Sequence, residues 1–481
     1  MKFGPIRSPL ALAFIGSLLL SLAAVAMNRG VLNRDGMLYV DVARIFMESG
    51  FSAAAQTFPW PFLSILIAFV SQGTGLGPET AGHVLNAIFL AGTCALLVAC
   101  SMRLYPGAGW MVALTVLALP GLNDYRDQII REYGYWFFVV LSLWLSLRWA
   151  DAPDWRTGLW IQLAIIVAAL FRTEALVFLP ALLLWQLREA PARERRRRIA
   201  MLGLLPLLAA LAMLLLLTSG NLPARLAVDL SRISPQRFSA VAGEIALALP
   251  PAARENAGTI LFFGSLAIIP VKFVKMSGLF LVPLIYALRV LPGTHWRLFG
   301  WAFAAQLAVL AVFVTDMHFL AGRYVVALLL LAAPLIGCGF HALLQRYSRW
   351  KLPAVIILVL LATANAVSLS PTKQHFVAAG HWLAANAEDS PRTYNESARA
   401  AYYAGWRYRA VTATEATREA LKQSIQRGEF DLVILEVPHQ DVTFPDWLAG
   451  AGLREIERFA QTNGDMVVIA VPGTSSFPSS Q

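Results

Sequence analysis

Five short stretches of the chain bring acids, bases and rings together at spacings that suit an anion and a proton. In 33–44, Asp35 comes a few residues after an apolar run that ends at Met27, with Arg34 beside it. Desolvation and the neighbouring guanidinium compete there to set the proton affinity of the carboxyl group. A carboxylate so fixed can take a proton from a hydroxyl or amine, or it can cap the helix that continues through Tyr39 and Ala43. Asp41 fits a solvated face of that helix. The stretch 123–133 holds Asp124, Arg126, Asp127, Arg131 and Glu132 ahead of an aromatic-rich run. Its arginines offer planar forks of donors to phosphate oxygens, or the opposite charges neutralise one another. Phe171-Arg172-Thr173-Glu174 reads as a tight turn between two apolar runs, and its charges must face a protein cavity or water. Lys272 and Lys275 follow an apolar stretch at 258–271. The last stretch, His318 to Tyr324, puts Arg323 at a helix start, where a cation and N–H groups together make an anion site. Arginine and tyrosine also anchor helix ends at a membrane surface.

The elements that carry these residues follow from composition. Of 481 residues, 58% are hydrophobic and 14% charged, with mean hydropathy +0.60, against about 25% charged in soluble globular proteins. A water-soluble enzyme of this length is excluded. A spanning helix needs about 20 mainly apolar residues, and the chain has enough such runs to be a polytopic membrane protein. Part of the net charge of +10 is concentrated in Arg193 and Arg195 to Arg198, between two apolar runs. That is the pattern of positive-inside topology rather than of nucleic-acid binding. Cys94, Cys100 and Cys338 lie inside apolar runs and read as packing residues, with neither a disulfide framework nor metal-ligand spacing.

With the N-terminus in the cytoplasm, spans fall near 10–27, 80–102, 107–121, 133–149, 158–172, 175–188, 199–218, 275–290, 298–315, 323–341 and 352–369, about eleven helices. The first could pass for a signal peptide, with Ala23 to Ala26 as a weak cleavage site, but reads better as an uncleaved helix. Arg103, Arg148, Arg156, the run 193–198, Arg289, Arg297, Arg346, Arg349 and Lys351 then share one side. Opposite lie 28–79, 122–132, 219–257, 316–323 and everything after Pro371. Two apolar stretches read as interfacial or re-entrant helices: 258–271, and the run to Val70 that follows Pro59 and Pro61. From 371 the composition turns soluble, with helices at 374–387 and 413–427 and strands at 431–435 and 466–470. The expected fold is an all-α polytopic membrane domain over 1–370, then a small soluble α/β domain over 371–481 on the periplasmic side, ending in a Ser/Pro-rich tail. Tyr394 to Ser397 and Tyr402 to Trp406 in that domain suit either sugar contact or core packing.

A proton- or ion-coupled transporter tends to place ionisable residues near the middle of its spans. Here they gather at the outer helix ends, so the work is done at one membrane face. A flippase or transporter of a lipid-linked glycan, and a noncatalytic assembly subunit, would share the same plan without needing an outer-face base.

Taken in order, these pieces resemble the C-type membrane glycosyltransferases, within them the branch of protein O-mannosyltransferases and the lipid A aminoarabinose transferase. The resemblance covers roughly 10–370, and the C-terminal domain agrees in position and type. Asp35, Tyr39, Ala43 and Pro59 with Pro61 match the family's early outer loop. Where the family often has a second acid after the first, this chain has Gly36. Glu132 before Phe137 and Phe138 matches the second-loop acid, Arg172 with Pro180 the basic turn, and Arg323 with Tyr324 the opening of a late helix.

The resemblance implies transfer of one sugar, a hexose or pentose, from a polyprenyl-phosphate donor of the undecaprenyl type. The acceptor would be a lipid such as lipid A, a glycan or a protein of the cell envelope, at the outer face of the cytoplasmic (inner) membrane. Asp35 is the expected catalytic base. Arg323 leads the donor-phosphate ligands, followed by Arg172, Lys272, Lys275 and Arg131, with Tyr39, Glu132, Tyr324 and His318 positioning donor or acceptor. No cofactor and no metal site are expected, since neither a nucleotide-binding glycine loop nor an acidic metal pair stands out. Reporter fusions after Arg198 and after Arg349 should behave as cytoplasmic, and fusions at 240 and 475 as exported. An exported reporter after Arg198 would overturn the assignment of outer loops.

Overall fold

The computed structural model of the chain describes residues 8–27, 31–219, 235–366, 373–407 and 418–473. Packing divides it into two units, Met1–Ala24 with His83–Val367 and Val25–Gly82 with Ser368–Gln481. The division differs from the single boundary at 370 drawn from composition, because the first outer segment packs with the C-terminal domain.

The first unit is helical. Among the described residues, six helices or helix pairs are long and apolar enough to cross a membrane: Pro9–Met27, Pro78–Leu104, Arg195–Leu216, Pro251–Val290, Trp296–Met317 and Gly322–Arg346. Gly109–Ala118 and Trp155–Phe171 are apolar but shorter, and Phe178–Glu189 and Lys351–Ala364 have 12 and 14 residues. The expected break between 258–271 and a span at 275–290 is displaced. Ala257–Ser277 is one 21-residue helix running through Pro270, Lys272 and Lys275. It ends at Gly278, whose φ of 51° favours glycine, and Leu281–Val290 follows. Lysine stems reach along a helix without ending it, so the charges do not mark the boundary.

Local chemistry sets the ends that matter. Asp154 caps Trp155–Phe171 by accepting from the Thr157 N–H at 2.8 Å, and Arg172 then adopts an extended conformation that turns the chain into the 3-10 segment Thr173–Val177. The Arg126 guanidinium, 3% exposed, donates to the Ser17 carbonyl at 2.8 Å, to Ser17 Oγ at 3.0 Å, to Ser21 Oγ at 2.7 Å and to Asn123 Oδ1 at 2.8 Å. The second outer loop is thereby strapped to the first helix, and this arginine is committed to structure. Cys94, Cys100 and Cys338 are buried free thiols.

The second unit contains a four-stranded sheet in the order β1-β2-β4-β3: β1 Thr393–Asn395, β2 Leu432–Val437, β3 Leu453–Ala460 and β4 Met466–Pro472. β1 pairs parallel with β2, whereas β4 is antiparallel to both β2 and β3. Both faces are covered. Val433, Leu435, Val437, Val468 and Ala470 pack with Leu421, Ile425 and Phe444 on one side. Leu432, Ile434, Val467, Ile469 and Val471 pack with Phe376, Ala379 and Leu383 on the other. Burial on two faces explains why β2 and β4 read as continuous apolar runs. The expected helix at 374–387 is Gln374–Asn386, and of the one at 413–427 the described part is Arg418–Gln426. Arg34–Thr57 and Phe62–Thr74 complete the unit.

Since 31–82 shares a unit with this sheet, a chain cut after Ser370 should lose protection of 31–57. Limited proteolysis of the purified truncation is expected to cleave there, where the full chain resists. An unchanged digestion pattern in 31–57 would contradict the grouping.

Candidate functional site

In the first unit, the expected turn and the second outer loop meet. Glu132 opens the helix Glu132–Asp151 and Arg172 ends the helix before it turns, with both side chains buried. Arg172 donates to Glu132 at 2.6 Å and to Glu174 at 2.6 Å, and its guanidinium lies 4.4 Å from the centroid of the Tyr324 ring. Arg323 Nε is 3.4 Å from Glu132, and its guanidinium lies 5.4 Å from the same ring. Gly134 makes the approach possible: a Cβ there would collide with the Phe171 ring, the residue before Arg172. Glu132, Arg172, Glu174, Arg323 and Tyr324 line one narrow cleft, about 360 Å³ including the open space at its mouth, with Tyr135 and Gln306, whose side chains bond to each other at 2.7 Å.

Burial would raise the Glu174 carboxyl, but the charge and hydrogen bonds of Arg172 outweigh it, with Arg131 adding a smaller pull, and hold it at about 2. Arg131 acts on Glu174 from outside the cleft, whose lining has two arginines and two glutamates. Arg172 has its fork engaged by both carboxylates.

Sequence reasoning missed Tyr125. Its hydroxyl takes the Arg323 backbone N–H, and a Cβ on Gly322 would come within 2.6 Å of that oxygen. The helix Gly322–Arg346, which has no side-chain N-cap, thus has one of its first N–H groups already engaged. An aromatic between an acid and an arginine gives no periodic signal that would have flagged it.

The other first-unit candidates, Lys272, Lys275 and His318, do not line this cleft. Lys272 donates to the Leu320 carbonyl and lies 5.6 Å from the Phe319 ring centroid. Lys275 is exposed. His318, with φ 50°, ends the helix Gly293–Met317, and its Nδ1 is 3.1 Å from Ser265 Oγ. Asp316 beside it pairs with Arg237 at 3.3 Å.

Asp35 and Tyr39 belong to the second unit. Asp35 is half-buried in the first turn of Arg34–Thr57, whose N-cap residue is Asn33. It therefore does not cap this helix, although an acid there favours the helix dipole. Tyr39 is buried against Phe58, ring centroids 5.8 Å apart. Asp41 is not on a solvated face: it is 4% exposed and pairs with Arg407 at 3.7 Å, a partner too distant in sequence to be seen. Tyr402 and Tyr403 spend their hydroxyls internally, on Glu79 at 2.6 Å and on the Leu32 N–H at 2.8 Å. Among the described residues, no group of three or more His, Cys, Asp or Glu side chains assembles that could hold a metal ion.

The Arg172 pairing has a pH signature. A carboxyl held below its ordinary value near 4.5 stabilises the fold fully above that pH, and the contribution is lost as pH falls toward about 2. Melting of the purified protein from pH 5 down to 2.5 should fall more steeply than that of Glu174→Gln, and parallel curves would contradict the pairing. Arg172→Met, which strands two buried carboxylates, should cost about 3–5 kcal/mol.

A second cavity in this unit, about 1120 Å³ including its open mouth, has apolar walls that include Phe273, Leu284, Trp296, Phe303, Leu331 and Leu335. No protein-family model matches the chain, and no curated protein matches it in sequence. Solved structures match in fold. The Archaeoglobus fulgidus oligosaccharyltransferase, crystallised with zinc and sulfate, has a TM-score of 0.57 at 12% identity over 95% of this chain and 72% of that one. ArnT from Cupriavidus metallidurans gives 0.45 when bound to undecaprenyl phosphate and 0.46 in the apo state, each at 14% identity over 97% of this chain and 98% of that one. The likeness to the oligosaccharyltransferase shows that the chain shares the fold of that enzyme.

Proposed function

We propose that the protein transfers a sugar from a polyprenyl-phosphate donor to a lipid, glycan or protein acceptor at the periplasmic face of the cytoplasmic membrane. The observation that carries this reading is the cleft in which Glu132 and Glu174 hold Arg172 and to which Arg323 adds positive charge, in a chain with this fold. Arginines at a helix start suit a phosphate leaving group. The large apolar cavity, with its ring and leucine walls, suits isoprene units.

In the reaction, the acceptor oxygen or nitrogen bonds to the anomeric carbon while the bond from that carbon to the phosphate oxygen breaks. Polyprenyl phosphate leaves with the electron pair, and the acceptor proton goes to Asp35. Arg323, with Arg131, balances the charge that grows on the leaving phosphate. Arg172 acts as the counter-ion that keeps Glu132 in place beside Arg323, and Tyr324 presents its ring to both guanidinium groups. Lys272 and His318 shape the loop before Arg323, Tyr39 supports the helix of Asp35, and Lys275 ranks last among the cations. No metal takes part in this scheme.

Asp35→Asn keeps size and most hydrogen bonding, so it should lower turnover by at least ~100-fold with donor binding near normal, as loss of a general base does. Near-wild-type turnover would remove Asp35 from the chemistry. Arg323→Ala should weaken donor binding, and Arg323→Lys should recover only part of the activity because it lacks the two-pronged geometry. Full activity in both would make Arg323 an interface anchor. Turnover should survive EDTA; its loss, with recovery on adding a divalent cation, would require a metal-assisted scheme.

A further inference from the structure

The segment that carries Asp35 is fastened to the C-terminal domain within the second unit. Its helix starts at Asn33 without a side-chain cap there, and two bonds to the domain hold the chain, one on each side of Asn33. The Leu32 N–H, on a residue 1% exposed, donates to the Tyr403 hydroxyl at 2.8 Å. The Arg34 guanidinium donates to Glu436 on β2 at 3.1 Å.

Both anchors are themselves held. Glu436 also accepts from Ser397 Oγ at 3.0 Å, and Ser397 caps the short helix Ala398–Tyr403 by accepting from the Ala400 N–H at 3.2 Å. Tyr403 meets Tyr402 edge-on, ring centroids 5.4 Å apart. The Tyr402 hydroxyl donates to Glu79 at 2.6 Å and accepts from Arg44 at 3.3 Å. Arg44 belongs to the same helix as Asp35, so that helix is gripped at its start and again along its length. Arg407, paired with Glu48 at 2.6 Å, adds a third hold.

We propose that Tyr403 and Glu436 are positioning residues that fix the first helical turn bearing Asp35, so that the C-terminal domain sets the aim of the base. The inference rests on the reading of Asp35 as general base. A base must be held to within fractions of an ångström of its productive position, and these two bonds fasten the chain on both sides of the residue that opens the helix of Asp35. The domain is thereby a working part of the enzyme whether or not it touches the acceptor.

The test uses the full chain in detergent, with Tyr403→Phe and Glu436→Gln as single-group removals. Amide exchange in 33–41 should quicken by ~10-fold or more, as local opening becomes easier, while β2 and β4 keep wild-type protection. With undecaprenyl-phosphate-linked hexoses and pentoses as probe donors, kcat for release of undecaprenyl phosphate should fall ~10-fold at unchanged KM for the donor. In an Asp35→Asn background, Tyr403→Phe should add no further loss, because it acts through the missing base. Unchanged exchange in 33–41, or a loss that adds in full to that of Asp35→Asn, would overturn the proposal. Wild-type turnover of Asp35→Asn alone would instead overturn the base assignment, and the positioning role with it, even where exchange quickens.

Discussion

An arginine taken out of water costs several kcal/mol unless opposite charges and hydrogen bonds meet it in good geometry, and Arg172 is met on both sides. Glu132 and Glu174 each approach within 2.6 Å. That pairing requires the end of the helix Trp155–Phe171 and the start of Glu132–Asp151 to come together, which the missing side chain of Gly134 permits. It also fixes Glu132 beside Arg323. The remaining features of the first-unit cleft follow from this: the Tyr324 ring faces two cations, and Tyr125 holds the Arg323 backbone.

The second unit meets a different constraint. Its segment 31–82 carries an apolar helix, Phe62–Thr74, and its first helix, Arg34–Thr57, is tied to the C-terminal domain by polar contacts. The hydrogen bonds and ion pairs between segment and domain run through Tyr402, Tyr403, Arg407 and Glu436. A soluble domain attached to a membrane enzyme is easily regarded as an accessory, whereas here it shares a packed unit with the residue proposed as base.

Much of this was legible in the sequence wherever the signal was local. The apolar runs gave the long helices, two-sided burial gave β2 and β4, and the cost of exposing charge to lipid marked Arg172 and Glu174 as cavity residues. What escaped depends on partners far apart along the chain. Asp41 looks like a surface acid until Arg407 is beside it. The bond from Lys272 to the Leu320 carbonyl joins residues 48 positions apart. The Tyr402–Tyr403 pair looks like a sugar platform until Glu79 and the Leu32 N–H claim the hydroxyls. Hydropathy alone placed the domain boundary at 370, because it registers transfer to lipid and not hydrogen bonding across 300 or more residues, as between Leu32 and Tyr403.

The central claim is that this chain performs group transfer at a membrane surface rather than moving a lipid-linked glycan across it. Purified protein in detergent micelles, with no sealed bilayer, can be given undecaprenyl-phosphate donors bearing labelled hexose or pentose, together with envelope extract as acceptor. Movement of label from donor to acceptor, with release of undecaprenyl phosphate in equal amount, is the result predicted. Absence of transfer with every donor, while the same protein reconstituted in liposomes carries a lipid-linked glycan from one leaflet to the other, would contradict it.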